Sequence, residues 1–269
     1  MSFAPVLPLG GYAGWAFLNR TLPRQQAAFE AAPALARDEA YFRERIGKVT
    51  SAGELVADRR LLKVALGAFG LEGDIDNRFF IRKVFESPTD DPGALAGRLA
   101  DKRYQQMATT FGFGDGLPHS DGPGFADRLL GAWRERSFEA AVGEQDENLR
   151  LALNTRRELA ELAADPGSAD VKWFTVMGTP PLRKVFETAF GLPTAFGALD
   201  IDRQHETLRD KARDMFGAEG IGQFTDPERV EDLIRRFLLR ADIAAATGPM
   251  LTSGAATALT LLQSAPGLR

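Results

Sequence analysis

The sequence contains no cysteine, and that absence removes several kinds of chemistry at once. Disulfides, thiolate nucleophiles, thiolate zinc sites and iron–sulfur clusters all depend on it. Histidine is scarce too, with only His119 and His205. No stretch alternates polar and apolar residues for long enough to read as a sheet strand. Val171 to Met177 comes nearest, and it reads equally well as a helix. No Gly-x-Gly-x-x-Gly follows a strand, and no glycine loop ends in Gly-Lys-Ser/Thr, so dinucleotide and phosphate-loop binding are not expected. A net charge of -4 and a pI near 5.4 leave no concentrated basic footprint for nucleic acid. The basic residues lie among acids, as in Arg134-Glu135-Arg136, which is how a solvated helix face looks.

Charge is also missing from both ends. Met1 to Asn19 has no charged side chain and is interrupted by Pro5, Pro8, Gly10 and Gly11. It lacks the basic start and unbroken apolar run of a secretory signal, so no cleaved signal is expected. Ile243 to Leu268 is uncharged as well. Gly248-Pro249 breaks it and its serines and threonines lower its hydrophobicity, which argues against a membrane span. A helix packing on this protein or on a partner fits better, with Ala258, Leu259, Leu261 and Leu262 in contact.

What is present is ordinary soluble material, 44% hydrophobic and 26% charged over 269 residues, enough for one large or two small domains. The sequence Leu61-Leu62-Lys63-Val64-Ala65-Leu66-Gly67-Ala68-Phe69-Gly70-Leu71 returns as Leu182-Arg183-Lys184-Val185-Phe186-Glu187-Thr188-Ala189-Phe190-Gly191-Leu192. Each copy reads as an amphipathic helix closed by a left-handed glycine, with a leucine folding back as in a Schellman cap. Further landmarks keep the same order. Asp74-Ile75-Asp76 answers to Asp200-Ile201-Asp202, and Thr89-Asp90-Asp91-Pro92 to Thr225-Asp226-Pro227. A duplicated helical module accounts for the series. A rival alignment matches Arg82-Lys83-Val84-Phe85-Glu86 to Arg183-Lys184-Val185-Phe186-Glu187, but it covers only one short helix.

The predicted fold is therefore all-α, two related helical modules joined by a long central helix. Residues 1–120 form the N-terminal module, 121–167 the central helix and linker, and 168–269 the C-terminal module. Short helices are expected over Tyr12 to Leu18 and Gln25 to Ala31, with one further helix over Gly93 to Met107. Ser51 and Glu54 have capping-box spacing. Phe125 to Ala164 sustains helical periodicity, with a break expected near Ser137 or Gly143. A helix of about 25 residues spans about 38 Å, enough for a shared spine.

No arrangement of reactive residues stands out. Ser120 and Asp121 adjoin His119, but adjacency in sequence does not build a triad. His205-Glu206 lacks the paired-histidine spacing of a metal site, and Asp74-Ile75-Asp76-Asn77 lacks the rest of a calcium loop. Glu144 and Glu147 lie on a highly polar helix face. No catalytic residue, metal ligand or cofactor site is expected.

The run Asp58-Arg59-Arg60-Leu61-Leu62 through Ala68-Phe69-Gly70-Leu71, then Phe80-Ile81-Arg82-Lys83-Val84, Leu99 to Tyr104 and Phe111-Gly112-Phe113, resembles a bacterial family of unknown function. Gly14 to Leu18 and Asp200 to Gln204 are similar to it as well. The resemblance implies an all-helical protein, internally repeated in some members and often encoded among flagellar genes, and it brings no catalytic residues. The expected function is then a non-enzymatic, flagellum-associated structural or protein-interaction role in motility, cytoplasmic or at the flagellum. Its partners would be proteins, flagellar components among them. Trp15, Phe17, Leu259 and Leu262 are the expected partner contacts, since apolar segments left over at chain ends tend to be partner surfaces. The alternative is a helical small-molecule binder or enzyme using a cleft between the modules, with Asp202, Arg203 and His205 converging on it.

Overall fold

Helix caps written into the sequence set most of the boundaries in the computed structural model, which describes residues 4–247. Leu259 and Leu262 lie outside those residues. Thirteen α-helices are present and no strand is found among the described residues. The N-terminal run is α1 (Gly11–Glu30), α2 (Pro33–Arg45), α3 (Ala52–Ala57), α4 (Arg59–Gly67), α5 (Arg78–Phe85), α6 (Leu95–Arg98) and α7 (Arg103–Phe111). A pair follows, α8 (Phe125–Gly143) and α9 (Glu147–Ala164). The chain continues with α10 (Ala169–Met177), α11 (Pro180–Phe190), α12 (Ile201–Phe216) and α13 (Pro227–Thr247).

The two repeat helices close identically. Gly70 and Gly191 both take left-handed backbone, φ +67° and +66°. In each turn the following leucine amide bonds back across six residues, Leu71 N to Leu66 O at 3.0 Å and Leu192 N to Glu187 O at 2.9 Å. The glycine amides bond to Gly67 and Thr188, which completes a Schellman motif in both copies. Their starts differ. Asp58 caps α4 by accepting from the Arg60 and Leu61 amides at 2.9 and 3.1 Å, whereas α11 begins on Pro180 after an uncapped Thr179. The rival match shares its local physics too. Arg82 binds Glu86 at 2.6 Å and Arg183 binds Glu187 at 2.7 Å, the same i,i+4 pair.

Two apolar cores result. The first runs from Leu35 to Trp133 and gathers α2 to α7 with the N-terminal half of α8. The second holds Phe138 and Val142 from the other half of α8, then the inner faces of α9 to α13. Trp15 and Leu18 of α1 also belong to this second core. The first helix thus leaves its sequence neighbours and packs at the far end of the chain. The element shared by both cores is α8. Phe125, Leu129, Leu130 and Trp133 enter the first core, and Phe138 and Val142 enter the second.

Three expectations give way here. The break expected near Gly143 is present, between Gly143 and Asp146, but it makes a hairpin in which α9 folds back on α8, where one shared spine was expected. Asp146 starts the new helix by accepting from Asn148 N and Leu149 N. Gly143 permits the close turn, because a Cβ there would sit 2.4 Å from Arg150 Cδ. The second correction is α1, which is continuous through Pro23 rather than two short helices. Buried Gln25 ties the preceding strand of coil to it, accepting from Val6 N and donating to Val6 O. The third is the helix expected over Gly93 to Met107. It splits into α6 and α7 because Asp101 caps Arg103 N at 3.0 Å, and Lys102 N is drawn across to Gly178 O of the second core at 3.2 Å. The Ser51–Glu54 box forms with one difference. Glu54 N donates to Ser51 Oγ, but the Glu54 carboxylate accepts from Thr50 N rather than Ser51 N.

Candidate functional site

The two cores meet along a charged seam on α8 and α9. Glu139, 8% exposed, accepts a two-pronged bond from Arg157 at 2.9 and 2.8 Å. Arg157 reaches Glu158 at 3.4 Å, and Glu158 also accepts from Arg136 at 3.3 Å. Burial works to lower the Arg157 pKa, but the bonds and charge of Glu139, with Glu158 and Glu161, push it up instead. For Arg136 the balance is reversed. Burial and the neighbouring Arg157 charge hold its pKa below the usual arginine range despite Glu158. Beside the seam, Arg103 forks onto Asp101 and donates from Nη1 to Gly70 O at 2.6 Å, so the first Schellman turn is pinned to α7. An open cleft of about 660 Å³ runs along the junction, with Arg103, Glu147, Arg150 and Lys184 on its walls. Nearer α2, Phe29, Leu35, Lys63 and Trp133 line a second cavity of about 520 Å³.

A cleft between the modules therefore exists, but its expected residues are elsewhere. Asp202 and Arg203 are exposed, and His205 stacks flat on Phe174 with ring centroids 4.9 Å apart. His205 Nε2 lies 3.3 Å from Asp170, outside the cleft. The three do not converge, which removes the version of the small-molecule hypothesis built on them. Asp200 and Asp202 belong to a helix start, where the Asp200 carboxylate accepts from Asp202 N at 2.9 Å.

The remaining reactive types also have structural partners. His119 is exposed and contacts the Thr110 carbonyl at 3.1 Å. Ser120, buried next to it, donates to Val49 O at 2.5 Å, so its hydroxyl anchors a loop instead of facing the imidazole. Asp74 accepts from Asn77 and from the Tyr104 hydroxyl. Burial first, and then that bond, pushes the Tyr104 pKa well up. Glu147 pairs with Arg150 and Glu144 is exposed. No cluster of three or more metal-ligating side chains occurs among the described residues.

Trp15 is not a partner contact. It is 0% exposed, donates from Nε1 to Glu231 at 2.6 Å, and carries the Arg156 guanidinium over its ring at 4.3 Å. The uncharged start of the chain therefore completes the second core, with Phe17 half-buried beside it. Apolar exposure is found elsewhere. Val171 at 58% and Phe174 at 42% stand one turn apart on α10. Leu199 at 46% and Ile201 at 49% flank the start of α12, which packs on α10. His205, one turn on from Ile201, joins the two helices through its stack on Phe174. The signal was present in the sequence. Val171 to Met177 is apolar nearly all round, and a short helix cannot bury every face. Trp173, Val176 and Met177 go inward, which leaves Val171 and Phe174 in water.

These features define an all-helical protein with two cores strung on one hairpin. No helix among the described residues is long and apolar enough to cross a membrane. Residues 68–230 match the family described as "Protein of unknown function (DUF1217)", and with more than half the chain matched, the protein belongs to that family. The matched span begins at the first Schellman turn and ends in α13, so it crosses both cores. The crystal structure of protein AGR_C_984 from Agrobacterium tumefaciens is similar, with a TM-score of 0.70 and 25% identity over 89% of this chain and 98% of that one. No curated protein matches.

Proposed function

We propose that this protein is a non-enzymatic helical scaffold that binds a protein partner, and that it serves the bacterial flagellum. The observation carrying the first part is the exposed apolar cluster of Val171, Phe174, Leu199 and Ile201 around His205. Apolar side chains grouped on a surface lower their free energy when a partner covers them, by about 25 cal/mol per Å² removed from water. The helix carrying Val171 and Phe174 is anchored from behind. Trp173 packs edge-on against Phe186 at 5.3 Å and donates from Nε1 to Glu219 O at 2.8 Å. A rigid platform loses little conformational freedom when a partner docks. The flagellar part is supported by the sequence resemblance alone.

The test is a gene deletion scored for swimming and for flagellar substructure, complemented with wild-type protein or with a Val171→Asp, Phe174→Asp double variant. The expected outcome is impaired swimming that wild type restores and the double variant does not. Normal swimming with intact filaments in the deletion strain would overturn the flagellar reading.

A further inference from the structure

Phe125, Leu129, Ala132 and Arg136 fall on one face of α8, with Arg128 at its margin. Gln106 and Thr110 on α7 stand opposite, and Ala68 and Phe69 from the closing turn of α4 form the floor. Together they enclose a groove of about 290 Å³. Its two charged residues are both arginines and its lining holds no carboxylate, in a protein whose net charge is -4. In the cleft along the junction, by contrast, Arg103 is matched by Asp101 and Arg150 by Glu147, whereas in this groove only Arg136 has an acid partner, Glu158.

Both guanidiniums in the groove have donors to spare. Arg128 donates from Nη1 to the Pro123 carbonyl at 3.1 Å, and Arg136 from Nη2 to Glu158 at a long 3.3 Å. Arg136 is 18% exposed, and burial first, then the neighbouring Arg157, work against its charge while Glu158, Glu139 and Glu161 support it. A buried cation in that position gains from an added anion more than a solvated one does. Three carbonyls at the end of α4, which would repel an anion, are already engaged. Leu66 O and Gly67 O accept from Leu71 and Gly70, and Gly70 O accepts from Arg103.

We propose that this groove docks an acidic segment of a protein partner, with an apolar anchor side chain entering between Phe69 and Leu129 and carboxylates flanking it on Arg128 and Arg136. The occupant follows from size, charge and spacing. At about 290 Å³ the groove has room for one or two side chains. Arg128 and Arg136 are eight positions apart on α8, about 12 Å of helix rise, which suits two carboxylates along a peptide better than one small acid. The proposal rests on the scaffold reading only in having a protein supply the carboxylates.

The experiment uses the full chain and a fluorescein-labelled twelve-residue peptide of Glu and Asp with Leu or Phe at every third or fourth place. Its lysine-for-glutamate counterpart and free octanoate serve as comparisons. The acidic peptide is expected to bind, more weakly as salt rises, and the basic peptide is not. Arg128→Glu, a change at an exposed side chain, should weaken binding by at least about tenfold while the circular dichroism spectrum stays that of wild type. Arg24→Glu, at a position also exposed on α1, controls for net charge and should leave binding unchanged. Equal binding by Arg128→Glu, preference for the basic peptide, or no peptide binding at all would overturn the proposal. Displacement of the peptide by octanoate at matched concentration would overturn it in favour of a small organic acid. The same variant separates this proposal from the scaffold reading. If deletion impairs swimming and Arg128→Glu restores it fully, the groove proposal falls and the scaffold stands. If deletion leaves swimming intact, the flagellar role falls and the peptide result judges the groove alone.

Discussion

The two cores solve one packing problem with different materials. The first is contiguous in sequence, Leu35 to Trp133, and sets Phe111 edge to face against Phe85 and Phe125. The second recruits α1 from the opposite end of the chain and places its rings on different helices of the repeat. Phe186 touches Trp173, Phe190 and Phe224, edge to face in each case. At the matching place in the repeat, the first core has Ala65. A helix end can therefore be copied while the layer packed on it is rebuilt, because a Schellman turn needs only a glycine and its neighbours. The interior needs whatever volume the surrounding helices leave.

That contrast can be tested, beginning with the largest effect. Phe85 and Phe186 are each 0% exposed, one in each core. Truncation of either to alanine should cost about 3–5 kcal/mol in denaturant unfolding. Labelling with 5-fluorotryptophan gives Trp133 as reporter for the first core, and Trp15 and Trp173 for the second. Phe85→Ala should shift the Trp133 transition most, and Phe186→Ala that of Trp173. Superimposable transitions in both variants would mean that α8 fuses the cores into one cooperative unit.

A smaller effect probes what the halves share. Gly70→Ala and Gly191→Ala each force a side chain into left-handed backbone, at about 1–2 kcal/mol. At Gly191 the new Cβ would lie 2.2 Å from Arg240 Nη1, whose flexible end can swing aside, and at Gly70 it would lie 3.2 Å from Arg103 Nη1. Thermal unfolding should show comparable losses. A loss in only one variant would show that the two turns are equivalent in shape but not in load.

The smallest effect concerns acid. Asp38, Asp58, Asp76, Glu86 and Asp115 in the first half, and Asp232 in the second, have pKa values lowered by their hydrogen bonds and neighbouring cations. For Asp58, burial works upward, but the Tyr41 hydroxyl and the Leu61 and Arg60 amides outweigh it. A carboxylate whose folded pKa is depressed adds stability above its unfolded pKa, near 4, and loses it as pH falls through the folded value. The Trp133 resonance should therefore change before that of Trp173 as pH drops below about 4. If Trp173 changes first, electrostatics does not distinguish the cores.

Much of this architecture was legible in the sequence because caps and periodicity act over a few residues. Gly70 and Gly191 mark helix ends, and Ser51 a helix start, that the structure reproduces. The site was far less legible. Trp15 reads as a spare apolar residue in an uncharged segment, and only its bond to Glu231, 216 residues away, makes it core. That Arg128 and Arg136 share a groove whose lining holds no carboxylate is hidden because acids do lie near them in sequence, at Asp127 and Glu135. Asp127 turns away to bind Arg43 at 3.0 Å. The five-residue match of Arg82–Glu86 to Arg183–Glu187 misleads for the same local reason, since any such helix makes the same i,i+4 pair.

The sequence by itself determined that the chain is helical, where most helices start and stop, and that two of them close on the same glycine turn. Those outcomes depend on backbone hydrogen bonds and side-chain caps within a turn or two. Only the tertiary structure decided that α1 packs on the second core, that α8 divides its face between both, and that Val171 and Phe174 are left in water. Such choices depend on which distant surfaces bury the most apolar area together, and no local rule carries that information.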